Sequence, residues 1–157
     1  VALENDLVVN QSPVPNWILG FTGNSSYNNI DLSFTFRAML GNYIYNNVAS
    51  NNGTFQSFEG IRPSNIHTSA LITQFTSRQL MSDYYLEDGS FLRLDNISLG
   101  YNFNMFKWAK LRAYVTGQNL FILTNYSGLD PEIQPNGIDN NLYPRPKTFI
   151  GGISITF

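Results

Sequence analysis

The hydrophobic and polar positions of this chain alternate in several separate stretches, and the clearest begins at Ile30. Ile30, Leu32, Phe34, Phe36, Ala38 and Leu40 fall on one side of an extended strand, and Asp31, Ser33, Thr35 and Arg37 on the other. The pattern predicts a strand from Ile30 to about Tyr45. Before it, Asn16 to Tyr27 puts Trp17, Leu19, Phe21, Gly23 and Tyr27 opposite Gly20, Thr22, Asn24 and Ser26, with Ile18 as the exception. Asn28-Asn29 makes a short turn between the two, because Asn tolerates positive φ. A third strand is predicted over Phe91 to Phe103, with Phe91, Ile97, Leu99, Tyr101 and Phe103 on one face, interrupted by Arg93 and Asp95. A fourth covers Leu111 to Thr124, where Leu111, Ala113, Val115 and Phe121 oppose Arg112, Thr116 and Gln118. The last, Thr148 to Phe157, sets Phe149, Gly151, Ile153, Ile155 and Phe157 against Thr148, Ile150, Gly152, Ser154 and Thr156.

Strands of about ten residues with one apolar face suit a bilayer crossing by tilted strands, lipid on one side and a polar interior on the other. The connections sort by length. Asn28-Asn29 and 104 to 110 are short, whereas 46 to 88 and 125 to 147 are long and rich in Asn, Gly and Pro. Within the first long connection, His67 to Leu80 is compatible with a short helix. Residues 1 to 15 read as a loop that feeds the first strand. In outer-membrane barrels the periplasmic turns are short and the external loops long. With Phe157 at the periplasmic end, both short turns fall on the periplasmic side and both long loops outside. Five strands cannot close a barrel, so the missing ones are expected before Val1.

Composition supports this picture. Of 157 residues, 15% are aromatic and only 13% charged, about half the usual charged fraction. Few charges with many Tyr and Phe fit a surface that meets lipid and carries aromatic girdles. The net charge of -2 gives no electrostatic attraction to nucleic acid. With no cysteine, disulfides, thiol catalysis and thiolate-bound metals are excluded. No apolar run is long enough for a transmembrane helix. The chain starts Val1-Ala2-Leu3, without Met or a signal-peptide pattern, which reads as a mature or internal piece of an exported protein.

Candidate chemistry is sparse. His67 is the sole histidine, so a histidine-based triad or multi-histidine metal site is excluded. Asp130, Glu132 and Asp139 share one loop and have oxygen ligands suited to calcium. They lack the spacing of a calcium loop, which favours a solvated loop. Glu87-Asp88, directly before a strand, marks a membrane boundary better than acid/base catalysis. No catalytic residue, cofactor site or metal site is assigned, and no enzymatic activity is expected. Tyr84, Tyr85, Tyr126 and Tyr143 lie at junctions of loops and strands. They read either as the outer interfacial girdle or as platforms for sugar rings or peptide side chains. Asp31, Thr35, Arg37, Arg93, Arg112, Thr116 and Gln118 are expected to face the lumen. The three arginines there would meet a plug or cargo, or form salt bridges along the wall.

Two stretches go beyond a generic barrel. One runs Asp88-Gly89-Ser90-Phe91-Leu92-Arg93-Leu94-Asp95-Asn96-Ile97-Ser98-Leu99-Gly100-Tyr101. The other is Leu111-Arg112-Ala113-Tyr114-Val115-Thr116-Gly117-Gln118-Asn119-Leu120, continued by Tyr126-Ser127-Gly128-Leu129-Asp130-Pro131-Glu132. With Pro13-Val14-Pro15-Asn16, Tyr143-Pro144-Arg145-Pro146-Lys147-Thr148-Phe149 and the final Phe157, they resemble the carboxy-terminal end of the SusC/RagA family of TonB-dependent outer-membrane transporters. Ending on Phe after apolar residues at every second position also resembles the signal by which such barrels are recognised for insertion.

The resemblance covers nearly the whole chain, least securely residues 46 to 82. It implies an all-β, antiparallel transmembrane β-barrel of about 22 strands, the size class with a plugged lumen. This chain, 1 to 157, would supply the last five as one carboxy-terminal part. The resemblance further implies an importer of oligosaccharides or peptides in a Gram-negative outer membrane. A SusD-like surface lipoprotein would lid it, and TonB, acting through an absent amino-terminal region, would energise it. Two other readings compete. One is a barrel that anchors an adhesin or surface enzyme. The other is a soluble carbohydrate-binding sandwich, against which the scarce charges and sorted loops argue.

Overall fold

The computed structural model describes residues 11–58, 65–103, 109–133 and 136–157. The loop start at 1–10, Pro63 and the 104–108 part of the second short connection lie outside the described residues. The chain divides into two compact units. One contains Trp17–Leu40, Phe91–Thr124 and Pro144–Phe157, and the other contains Gly41–Ser90 and Asn125–Tyr143 with the segment before Trp17.

The first unit is an antiparallel sheet. Its strands are β1 (Trp17–Tyr27) and β2 (Ile30–Leu40), then, in the second unit, β3 (Tyr43–Asn46) follows along the chain. That second unit also holds α1 (Asn47–Asn52), α2 (Ser69–Thr73) and β4 (Leu86–Asp88). The sheet resumes with β5 (Phe91–Phe103), β6 (Lys110–Gln118) and β7 (Ile122–Thr124), leaves it for β8 (Ile138–Asp139), and ends with β9 (Thr148–Thr156). The sheet order is β1-β2-β5-β6-β9, with β7 pairing β5 beyond the end of β6. Every neighbouring pair is antiparallel. Among the described residues, the outer edges of β1 and β9 have no strand partner.

Directly opposed residues share a face, so the register assigns each side chain. Phe21↔Phe36, Leu32↔Leu99, Leu99↔Val115 and Val115↔Gly151 carry one apolar face across all five strands. Rings on it touch in sequence: Phe21 with Phe34 at 5.9 Å between centroids, Phe34 with Phe36 at 5.7 Å, and Phe36 with Phe121 at 6.1 Å. The opposite face carries Thr22↔Thr35, Thr35↔Asn96, Asn96↔Gln118 and Gln118↔Thr148.

Several boundaries differ from those the alternation predicts. β2 stops at Leu40 instead of continuing to about Tyr45. Gly41 takes φ +81°, a left-handed turn that glycine adopts without penalty, and Tyr43–Asn46 joins the other unit's sheet. The predicted strand over Leu111 to Thr124 is broken at Asn119, whose φ is +53°. Its last residues return as β7 beside Phe91–Arg93. The helix compatible with His67 to Leu80 is confined to Ser69–Thr73 and ends where Gln74 turns left-handed.

The largest correction concerns β5. Thr35 pairs Asn96 but Phe36 pairs Leu94, so Asp95 is an extra residue in a β-bulge. One inserted residue exchanges the two faces of everything beyond it. Phe91 and Arg93 therefore lie on the polar face, opposite Met39 and Arg37, while Leu92 and Leu94 take the apolar one. Phe91 does not belong with Ile97 and Leu99, and Arg93 is no interruption of an apolar face.

The second unit is not a structureless loop. β3 pairs β4 antiparallel and β8 parallel, giving a three-stranded sheet from segments far apart in sequence. Tyr45, Ala49 and Tyr85 form its small core, with Leu86 and Ile138 packed against them. Asn46 caps α1, its side-chain oxygen accepting from the Ala49 amide at 2.9 Å, as Asn does at a helix start.

Candidate functional site

The polar face of the sheet brings all seven residues singled out for it onto one side: Asp31, Thr35, Arg37, Arg93, Arg112, Thr116 and Gln118. Their charges are organised along the strands. Arg112 grips Asp31 with two hydrogen bonds, Nε at 2.9 Å and Nη2 at 2.5 Å, the bidentate geometry that fits guanidinium to carboxylate. Asn102 donates to the same carboxylate at 3.0 Å. Gly100 lies against this pair, and a Cβ there would come within 2.6 Å of an Asp31 oxygen and the Arg112 terminal nitrogen. Farther along, Arg37 donates to Asp95 at 2.9 and 3.2 Å. Arg37 and Arg93 both stand over the Phe91 ring, at 5.8 and 5.4 Å from its centroid.

The bulge that supplies Asp95 thus also supplies a carboxylate to Arg37, which stands directly opposite the like charge of Arg93. Arg93 donates to Asn119 at 2.6 Å, and Asn119 donates to the Arg145 carbonyl at 2.7 Å. Thr116 bonds Ser98 at 2.8 Å, and the Thr22 and Thr35 hydroxyls meet at 3.2 Å.

In the other unit, Glu87 ties two long connections together. Its carboxylate accepts from Asn46 at 2.9 Å, from the Ser127 hydroxyl at 2.7 Å and from the Ser127 amide at 2.7 Å. This role was not read from the sequence, where Glu87 marked a boundary. Asp88 accepts the Ser90 amide at 2.8 Å and so closes the turn into β5. Among the loop acids weighed for calcium and read instead as a solvated loop, Asp139 accepts the Tyr126 hydroxyl at 2.6 Å and the Asn141 amide at 2.8 Å. Asp130 accepts the Glu132 amide at 2.9 Å. These carboxylates act as turn caps, and no acidic or histidine cluster fit to hold a metal occurs among the described residues.

The four junction tyrosines part company. Tyr85 and Tyr126 are 2% and 5% exposed, which fits neither the girdle nor the platform reading for these two. Tyr85 packs edge-on to Tyr45 and Tyr84 in the unit's core. Burial, reinforced by the Asp139 carboxylate, pushes the Tyr126 hydroxyl far above its usual pKa. Tyr84 and Tyr143 are 55% and 96% exposed. Between α1, His67 and the 127–141 segment lies a cleft of about 250 Å³, lined by Asn46, Val48, His67, Ser127, Leu129, Asp139 and Asn141, with Gly128 in its wall. The His67 Nδ1 accepts the Ser69 amide at 3.2 Å.

Comparison with known proteins completes the assignment. The chain is 38% identical to TonB-dependent receptor SusC of Bacteroides thetaiotaomicron over 97% of its own length and 16% of that receptor. It is 33% identical to TonB-dependent receptor P26 of Formosa agariphila, covering 98% of this chain and 18% of that one. No family model matches it. Among solved structures it superposes on the RagAB peptide transporter with a TM-score of 0.75 and 26% identity, covering 92% of this chain and 17% of that one. The "closed-closed" state of the RagAB peptide importer gives the same TM-score at 25% identity, over 97% of this chain and 18% of that one.

The chain belongs to the SusC/RagA family of TonB-dependent receptors. It spans less than a fifth of the length of these relatives. Among the described residues no helix is long and apolar enough to cross a membrane. The six-stranded sheet is a segment of a barrel of the RagA type.

Proposed function

We propose that this chain forms part of the wall and outer loops of an active outer-membrane importer for oligosaccharides or peptides. In this reading a SusD-like surface lipoprotein lids the barrel, and TonB drives uptake through a part of the receptor beyond this segment. The receptor is not an enzyme; its cargo passes unchanged. The apolar face meets lipid, and Asp31, Thr35, Arg37, Arg93, Arg112, Thr116 and Gln118 face the lumen. The connections built from 46–88 and 125–147 are external, and Asn28-Asn29 and 104–110 periplasmic. The free edges of β1 and β9 continue into neighbouring strands of a barrel of about 22 strands.

The observation that carries the reading is the register itself. It keeps one face apolar across five strands while the other gathers the ionic side chains of those described strands. A soluble sheet of this kind would need a second layer over its apolar face. Lipid serves instead. The family names of its relatives support transport as the purpose.

The test compares neighbouring positions of β2 in the full-length receptor. Phe34→Arg, near the midplane, is expected to cost roughly 2–4 kcal/mol of folding free energy in liposomes. Thr35→Arg, on the polar face, is expected to cost much less. Equal losses at both positions in the folding titration would defeat the assignment of faces.

A further inference from the structure

We infer that the cleft between α1, His67 and the 127–141 segment is a subsite for one neutral sugar ring. It rests on the importer reading for the source of that sugar, a glycan cargo. At about 250 Å³ the cleft lies below the roughly 300–1,000 Å³ of pockets that enclose a whole drug-sized ligand. It therefore fits a single unit of a longer molecule.

Its lining decides the chemistry. Among the described residues no Lys or Arg contributes to it, so they offer an anionic group no counter-charge. Asp139 is its sole carboxylate among the described residues, and both oxygens already accept, Oδ2 from Tyr126 and Oδ1 from the Asn141 amide. An ammonium group would thus meet a carboxylate whose charge is already stabilised by donors. An apolar side chain would cover His67, Asn141 and Asp139 without hydrogen-bonding to them, which is costly.

A polyol suits the mixture, because each hydroxyl both donates and accepts. Nδ1 of His67 accepts the Ser69 amide, which leaves Nε2 to carry the proton of the neutral ring and donate it. The Asn141 side-chain amide makes no hydrogen bond among the described residues; only its backbone amide is engaged, with Asp139. It offers a donor and an acceptor together. Val48 and Leu129 give the apolar wall against which the C–H face of a pyranose can lie.

The second unit holds this wall in place from below. A Cβ on Gly128 would collide with the Tyr126 ring, so the backbone lies flat on a buried tyrosine that is itself bonded to Asp139. The site is built from three segments that are remote in sequence, two of which Glu87 joins through Asn46 and Ser127.

The experiment uses the full-length receptor in detergent, so binding is read independently of transport. The probes are a mixture of methyl glycosides of the neutral hexoses and pentoses, with lysine amide and a methyl glucuronide as charged competitors. Saturation-transfer NMR is expected to show transfer to the ring protons of at least one neutral glycoside. Asn141→Ala and, separately, Leu129→Asp should each reduce it at least fivefold, with heat-modifiable gel migration showing that the barrel is intact. Neither charged competitor should displace the glycoside. No transfer to any glycoside, or transfer unchanged in both variants, overturns the site. Transfer to lysine amide instead, lost in the same variants, overturns it in favour of a peptide side chain. Failure of the subsite leaves uptake by the parent receptor untouched. Failure of the importer reading would show as absent uptake of any cargo even where a glycoside binds.

Discussion

Tyr126 and Asp139 make a buried contact at 2.6 Å, and its pH dependence follows from which partner holds the proton. The hydroxyl ordinarily titrates near 10. Burial and then the Asp139 carboxylate raise that value in the folded unit. Folding thus favours the protonated tyrosine. The stabilisation is complete below about pH 10 and fades as pH climbs toward the folded value. Subtilisin digestion of the full-length receptor should therefore cut 125–143 increasingly above that pH. In Tyr126→Phe the same segment should be weaker at neutral pH, by about 1–3 kcal/mol for a carboxylate short of its donor. It should also lack the alkaline step. A variant with the parental alkaline step would assign the titration elsewhere. Residue type alone did not reveal this contact. Tyr84, Tyr85, Tyr126 and Tyr143 look alike in the sequence, and their exposures run from 2% to 96% because partners from distant segments cover two of them.

Among the elements, the sheet was the most legible, because period-2 alternation is a property of neighbouring residues. All five long strands start within a residue of where the alternation places them; β1, β5 and β9 also end there, whereas β2 and β6 stop early, at Leu40 and Gln118. The bulge at Asp95 was not legible. Phe91, Arg93 and Asp95 share the parity of Ile97 and Leu99 in the sequence, and only pairing with β2 shows that one residue is extra. The neighbouring strand answers the bulge. The Asn119 amide donates to the Asp95 carbonyl at 2.9 Å, where β6 breaks. Deleting Asp95 should force Phe91 and Arg93 onto the apolar face and send Leu92 and Leu94 inward. The deletion is expected to abolish the folded, heat-modifiable band of the full-length receptor. Asp95→Ala, which loses only the Arg37 ion pair, should keep it. A deletion mutant that assembles normally would mean that the bulge is a local accident without a hold on register.

At the scale of the molecule, the long connections are a second folded unit instead of slack between strands. Its sheet pairs β3 with β4 and β8, and Glu87 joins Asn46 to Ser127 across it. None of these pairings has a local signature, which is why the sequence showed only loops there. The arrangement separates two perturbations that a loop picture would treat as equal. Residues 56 to 74 can be excised by joining Phe55 to Phe75 through a Gly-Ser link, because the Phe55 amide already donates to the Phe75 carbonyl at 3.0 Å. This removes α2 and His67 but keeps Tyr45 with its partners Ser50 and Met81. The excised receptor should retain its heat-modifiable band and keep 125–143 protected from protease. Glycoside transfer should be lost, and uptake or lipoprotein association impaired, since binding residues concentrate on loops held by a rigid scaffold. Glu87→Ala should do the reverse to the loops: it leaves the chain whole but unties it, so 125–143 becomes cleavable while the band persists. If the excised receptor binds its lipoprotein and imports at the parental rate, the 56–74 segment is connection only.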